Sequence, residues 1–290
     1  VGTRGITIED IERHAPDVLL PPDPEFTDLY ATAVDAGREL AARSTVAMVA
    51  ICRNAMPWLP QTLDLVERTG AMFRESACFI FENDSEDGTK DVLKAWANHH
   101  RRKVSLNINH RPHLCGEKSA ARTDALAAYR TECQRWVMSR EPVDYVIVFD
   151  SDAWGGWSVD GVATSLYWLD RTPAAAAMAS YSWCEMNTSV GPFPAHYDAW
   201  AARLNHWRER DHGWFHHWHP AVGSMPVRFN SAFGQLAVYR HDCYVRGQYA
   251  GGDCEHVLMH RSMGGPVYLN PSSRCVSFWV PNNGGRHKPD

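Results

Sequence analysis

A chain of 290 residues with 44% hydrophobic and 22% charged content carries enough apolar material for a sizeable core, as one large domain or two intimate halves. Its formal net charge of −5 gives no overall attraction to DNA, RNA or anionic membrane, although Arg101, Arg102, Lys103 and residues 118–122 concentrate positive charge locally. No run approaches the roughly 18 apolar residues of a membrane span and nothing resembles a signal-peptide core, so the sequence predicts a soluble, cytoplasmic protein without a transmembrane segment.

Residues 1–44 begin with a segment broken by Pro16, Pro21, Pro22 and Pro24, which predicts a surface arm. A helix follows from a cap at Thr27-Asp28, with Leu29, Tyr30, Ala33, Val34 and Leu40 at helical spacing. The first core strand, 45–51, runs straight into Cys52-Arg53-Asn54, and a helix over 59–69 follows. The pattern repeats with a strand at 77–81, the polar run Glu82-Asn-Asp-Ser-Glu-Asp-Gly-Thr89, and a helix that sets Val92, Leu93 and Trp96 on one side. A strand over 104–108, a loop over 110–117 and a helix over 118–138 come next. The half closes on the buried strand 145–149, which ends in Asp150-Ser151-Asp152. Alternating strands and helices with short connections predict a mostly parallel sheet with right-handed crossovers. Neither GxGxxG nor GxxxxGK[ST] occurs, which disfavours dinucleotide cofactors and P-loop chemistry.

In such a sheet the ligand lies beyond the carboxyl ends of the strands, so the polar residues there are site candidates. Asp150 and Asp152 can share a hard divalent cation, Mn²⁺ or Mg²⁺, whose other positions are filled by phosphate oxygens. Glu82, Asn83 and Asp84 can bond a base edge and ribose hydroxyls, while Gly88 lets the backbone turn into the helix. Arg53, Lys118 and Arg122 can neutralise a diphosphate, the last two being four apart on one predicted helix face. The competing reading makes Asp84, Ser85 and Asp87 helix caps and the cations a solvated basic face.

The succession Ala50-Ile-Cys-Arg-Asn54, Glu82 to Thr89, Lys118-Ser-Ala-Ala-Arg122 and Asp150-Ser-Asp152 resembles the nucleotide-sugar half of GT-A glycosyltransferases. The Glu-Asn-Asp-Ser-x-Asp-Gly-Thr element in particular is similar to the second-strand motif of family-2-like enzymes and of fungal capsule α-mannosyltransferases. The resemblance implies a GT-A, Rossmann-like α/β fold with a mostly parallel central sheet, flanking helices and an acceptor-side subdomain. It divides one continuous domain into an arm (1–44), a donor-binding half (45–152) and an acceptor half (153–290). The donor contacts it implies are Arg53, Glu82, Asn83, Asp84, Lys118, Arg122, Asp150 and Ser151. Asp152 becomes the direct metal ligand and Asp150 the acid nearer the ribose or a water-bridged ion.

In the second half, Ala153-Trp-Gly-Gly-Trp157 reads as a flexible aromatic exit loop, and a helix over 159–169 and a strand over 175–182 extend the sheet. Tyr197-Asp198 and Arg203 sit in a piece that resembles the capsule mannosyltransferase pattern. The His- and Trp-rich run over 205–219 lacks HExxH spacing, which leaves an acceptor-facing lid, plain packing or a metal site. Residues 229–239 look like a glycine-bearing acceptor-side strand in which Gly234 admits the donor sugar, with Gln235 where relatives often place a second glycine. Asp253 and Glu255 occupy the place of the family's acidic motif, at the start of a helix that ends at Gly264. There the resemblance makes Asp253 the general base on an acceptor hydroxyl and Glu255 a hydroxyl ligand. His287, in a tail of flexible composition, is a candidate third metal ligand. The eight cysteines, without a CxxC pair, predict reduced and packed thiols.

The expected reaction is metal-dependent transfer of a sugar, a hexose in particular, from a UDP- or GDP-sugar to a hydroxyl of a glycan, lipid-linked sugar, metabolite, protein or modified DNA base. Asp253 points to inversion at the anomeric carbon and the mannosyltransferase resemblance to retention. The rivals are a sugar nucleotidyltransferase and a catalytically lapsed sugar-binding or scaffold protein.

Overall fold

The computed structural model describes residues 16–99, 103–109, 119–188, 191–207 and 214–277. A short helix α1 (Pro16–Leu19), a 3-10 turn (Pro24–Phe26) and helix α2 (Thr27–Arg43) precede the sheet. The arm is anchored by a buried cation from the far end of the chain. Arg274 donates through Nη2 to Asp17 Oδ1 at 2.7 Å and to Tyr30 Oη at 2.6 Å, and through Nη1 to the Leu20 carbonyl.

The alternating units of the first half then follow as expected: β1 (Thr45–Cys52), α3 (Leu59–Ala71), β2 (Glu75–Asn83), α4 (Thr89–His99), β3 (Lys103–Asn109), α5 (Ala120–Met138) and β4 (Tyr145–Asp150). After them come α6 (Val159–Arg171), β5 (Ala177–Thr188), β6 (Gly191–His196), α7 (Trp214–His217), β7 (Val227–Phe229), β8 (Leu236–Arg240), α8 (His241–Arg246), α9 (Glu255–Met263) and β9 (Val267–Val276). The strands form one sheet in the order β3-β2-β1-β4-β8-β5-β9-β7, with β6 paired to β5. β3, β2, β1 and β4 are mutually parallel, β8 runs against both β4 and β5, and β5 is parallel to β9.

Both faces of the central strands are covered, which explains why their sequences are apolar throughout and do not alternate. Val46, Met48 and Ala50 of β1 pack with Ile147 and Phe149 against α3 and α6. Ala47 and Val49 pack with Phe79, Phe81, Val146 and Val148 against Ala127, Cys133 and Val137 of α5. Seven cysteines, at 52, 78, 133, 184, 243, 254 and 275, are buried free thiols, and burial pushes those of Cys52 and Cys133 up to about 12. Among the described residues no helix is long and apolar enough to cross a membrane.

Three expectations give way to the structure. The segment 153–157 is not a flexible loop: Trp154 and Trp157 are buried, Trp154 stacks on Trp58 at 5.7 Å, and Trp157 Nε1 donates to Thr69 Oγ1 at 3.0 Å. Residues 229–239 are not one strand. Gly234 and Gln235 both take positive φ, 64° and 67°, which breaks the extended run, and the turn sends β7 to the outer edge while β8 inserts between β4 and β5. The fifth helix starts at Ala120, two residues later than expected, after the extended cap Ser119, whose Oγ accepts from Arg122 N at 3.2 Å.

Candidate functional site

Strand register decides what can meet at the carboxyl edge of the sheet. Ile51 is paired with Asp150 and Cys52 with Glu82, so Arg53, the 82–84 segment and the 150–152 segment leave the sheet side by side. At the same edge the Asp150 N–H donates to the Gln235 carbonyl at 2.8 Å, which brings the 230–235 turn against β4. Gly252 N donates to Thr123 Oγ1 at 3.0 Å and holds the loop before α9 against the first turns of α5. Residues from six separated stretches of chain therefore border one region.

Much of the polar motif after β2 braces its neighbour. Ser85 Oγ accepts from Asn54 N, Thr89 Oγ1 from Ala55 N, and Asp87 Oδ2 from Met56 N, each at 2.9 Å. Asn54 Oδ1 returns the exchange by accepting from Glu86 N at 2.9 Å. Asp87 also caps α4, its Oδ1 accepting from Thr89 N at 3.1 Å. Ser85, Asp87 and Thr89 thus tie two strand-end loops into one platform, and Gly88 turns the chain into α4 with φ +89°. Ser151 is likewise a clip, its hydroxyl donating to the Ile51 carbonyl at 3.1 Å.

The platform leaves over some buried polar groups that can bond a ligand. Glu82 Oε1 accepts from Ser85 N at 2.6 Å, but its buried Oε2 has no hydrogen-bond partner among the described residues. The same holds for Asn83 Oδ1 and for Arg53 Nε and Nη1. Native proteins leave few buried polar atoms unpaired, so three side chains with spare valence at one sheet edge suit an absent polar ligand. Asp84 takes φ 56°, and its carboxylate lies 3.9 Å from Lys90 Nζ. Arg122 sits in the first turn of α5 and is partly exposed. Lys118 and His287 lie outside the described residues.

Beyond the edge the predicted acids Asp150 and Glu255 meet a cation, Arg130, that nothing in the sequence singles out. Arg130 of α5 is buried and donates through Nη2 to Asp150 Oδ1 at 2.6 Å, while its Nε lies 3.5 Å from Glu255 Oε1. Burial works against its charge, but Asp150 and Glu255 outweigh that effect and hold the guanidinium above the ordinary Arg range. His256 stacks on Phe233 with ring centroids 3.7 Å apart, and its Nε2 is 3.5 Å from Glu255 Oε1. Burial first, then Arg130 and His260, depress the His256 pKa well below the usual value, so the ring is neutral at physiological pH.

Asp253 is not a bare carboxylate. Arg203 Nη2 donates to its Oδ1 at 2.9 Å and its Oδ2 at 2.8 Å, and Oδ1 also accepts from Cys254 N at 2.7 Å. Arg203 itself is fully buried, giving its remaining N–H groups to the Trp207, Trp200 and Ala202 carbonyls. Asp198 joins from the same stretch, its Oδ2 accepting from Gly234 N at 2.9 Å. Part of its surface is open, yet burial of the carboxyl raises its pKa to about 7; Asp150 and Glu255 push further up and the Gly234 N–H holds it down. Gly234 is glycine for a backbone reason, since a Cβ there would lie 1.9 Å from the Ser180 carbonyl oxygen at φ +64°.

The described part of the His- and Trp-rich run packs. Phe215 is buried against Phe229 and Trp218, His216 Nδ1 bonds the His196 carbonyl at 2.8 Å, and His219 Nδ1 pairs with Tyr181 Oη at 2.6 Å. Among the described residues no group of three His, Cys, Asp or Glu side chains is arranged to hold a metal ion.

No family profile and no curated protein sequence matches the chain. Solved structures do resemble it. GalNAc-T7 with UDP, GalNAc and Mn²⁺ aligns over 90% of this chain and 53% of its own, at 14% identity and a TM-score of 0.52. A mannosyltransferase from Pyrobaculum calidifontis in complex with GDP-Man and Mn²⁺ aligns over 90% and 68%, at 17% identity and 0.48. S. aureus TarS aligns over 81% and 60%, at 9% identity and 0.47. The chain thus spans about half of GalNAc-T7 and three fifths of that TarS chain. What the similarity establishes is architecture: the mostly parallel sheet with helices on both faces is the GT-A fold.

Proposed function

We propose that this protein is a metal-dependent glycosyltransferase that moves a sugar from a nucleoside-diphosphate sugar to an acceptor hydroxyl. The observation that carries the reading is the cluster of unpaired buried polar atoms on Arg53, Glu82 and Asn83, beside Asp150 and Asp152 at the carboxyl edge of a GT-A sheet. Glu82 Oε2 and Asn83 Oδ1 are free to accept from a base edge or ribose hydroxyl, with Asp84 next to them. Arg53 and Arg122 serve the diphosphate as hydrogen-bond donors and counter-charges, with Lys118 the third cation that the sequence offers for that role. Ser151 fixes the end of β4 against β1, and Gly234 brings backbone close to the donor sugar.

Asp150 and Asp152 are the residues that would hold Mn²⁺ or Mg²⁺. Two carboxylates and no third protein group among the described residues fit a hard cation completed by diphosphate oxygens and water, with His287 the candidate third ligand. When bound, the ion neutralises charge that develops on the leaving diphosphate. On the acceptor side Glu255 binds a hydroxyl and Asp253 or Asp198 receives its proton. Asp198 has the better protonation range near neutral pH, whereas both oxygens of Asp253 are engaged by Arg203. The Asp-based proton acceptor favours inversion, which proton NMR of the product anomer reads directly. A hexosyl donor, UDP- or GDP-linked, and a cytoplasmic setting complete the proposal.

The test is incubation with a panel of UDP- and GDP-sugars, Mn²⁺ and candidate glycan and small-molecule acceptors. Release of nucleoside diphosphate supports sugar transfer. Release of pyrophosphate from nucleoside triphosphates would instead identify a nucleotidyltransferase.

A further inference from the structure

The inward face of α5 carries Thr123, Ala127, Arg130, Gln134 and Val137, and one full charge stands in the middle of that buried stripe. Its guanidinium reaches two acids that arrive from opposite halves of the chain, Asp150 by a 2.6 Å hydrogen bond and Glu255 by a looser 3.5 Å contact. The Arg130 and Glu255 side chains are 4% and 5% exposed, against 25% for Asp150. Phe233 lies 5.3 Å from the guanidinium carbon and closes another side. Nη1 of Arg130, also buried, has no hydrogen-bond partner among the described residues. A cation placed only to lock the fold would saturate its donors, because an unmet buried N–H is costly. One short bond, one long contact and one spare donor group suit a cation that shares itself between two acids whose other ligands change.

We propose, resting on the donor-site reading above, that Arg130 is a positioning residue that couples metal binding at Asp150 to Glu255 on the acceptor side. A divalent cation at Asp150 competes with the guanidinium for the same carboxylate and repels its charge. The freed donors of Arg130 then close on Glu255 and fix that carboxylate for an acceptor hydroxyl. Coupling of this kind is reciprocal. Removing Arg130 strengthens cation binding, and removing the charge of Glu255 commits Arg130 to Asp150 and weakens it.

Mn²⁺ binding, followed by the electron paramagnetic resonance of the free ion without donor or acceptor, tests this in the full chain. Arg130→Met should tighten Mn²⁺ at least about tenfold, a modest part of the repulsion between charges this close. Arg130→Lys should remain near wild type. Glu255→Gln, which keeps the shape and serves even if the Met variant fails to fold, should weaken Mn²⁺, and its effect should vanish in the Arg130→Met background. Wild-type binding that depends on Asp152 but ignores Arg130 and Glu255 would overturn the coupling and leave the donor site standing. A wild-type chain that binds no Mn²⁺ overturns both.

Discussion

Replacing Arg203 with Met is the most exacting test of the link between the 197–207 segment and the acidic loop before α9. The side chain is fully buried, donates to the Trp207, Trp200 and Ala202 carbonyls, and holds both oxygens of Asp253. Breaking a buried ion pair from one side costs about 3–5 kcal/mol. Asp253 is a quarter exposed and regains water, which argues for the lower end, about 3 kcal/mol. At roughly 2–4 °C per kcal/mol for a chain of this size, the midpoint of thermal unfolding should fall by about 6–12 °C. Circular dichroism melts of Arg203→Met, Asp253→Asn and the double variant measure it. The cycle should return a coupling of about 1–3 kcal/mol. A single variant melting within about 2 °C of wild type, or a coupling near zero, would refute the claim that this pair holds the loop.

Asp198 makes a prediction with a definite sign. Its folded pKa of about 7 lies above the ordinary Asp value of 3.8, so the folded chain retains a proton that the unfolded chain gives up. The associated stability is fully present below about pH 4 and is lost as pH rises through 7. Asp198→Asn should therefore flatten the fall of melting temperature between pH 4.5 and 8 (roughly the span of that titration), and equal slopes in the two proteins would contradict the assignment. Gly234→Ala places a methyl against the Ser180 carbonyl at a left-handed φ, and should destabilise by about 2–4 kcal/mol in urea titration. Ser85→Ala removes the acceptor for the Asn54 N–H and should cost about 1–3 kcal/mol, with weaker donor binding in calorimetry because the platform loosens.

The fold of the first half was legible because each of its signals is local. An apolar run followed by polar residues reads as a strand ending at a ligand edge, and the register of β1 with β2 and β4 aligns those ends as expected. What stayed hidden depends on contacts between distant segments. Arg130 is an ordinary mid-helix arginine until the inward spacing 123, 127, 130, 134 and 137 is written out, and only the fold brings Asp150 and Glu255 to it. Asp198 and Arg203 belonged to a short resembling piece, but nothing local says that one meets Gly234 and the other Asp253. The break at Gly234-Gln235 was missed because glutamine gives no warning of a positive φ. Tryptophans at 154 and 157, in a glycine-bearing stretch, read as a mobile loop, yet their rings are core.

Calorimetry of UDP- and GDP-sugar binding, with and without Mn²⁺, to the wild-type chain and to Asp150→Asn and Asp152→Asn tests the central claim most directly. The donor-site account predicts that one donor binds the wild type only when the cation is present, and that either substitution abolishes the binding while the melting behaviour shows a folded protein. Donor binding that is indifferent to the cation and to both aspartates, or no binding of any donor to a folded wild type, would contradict it.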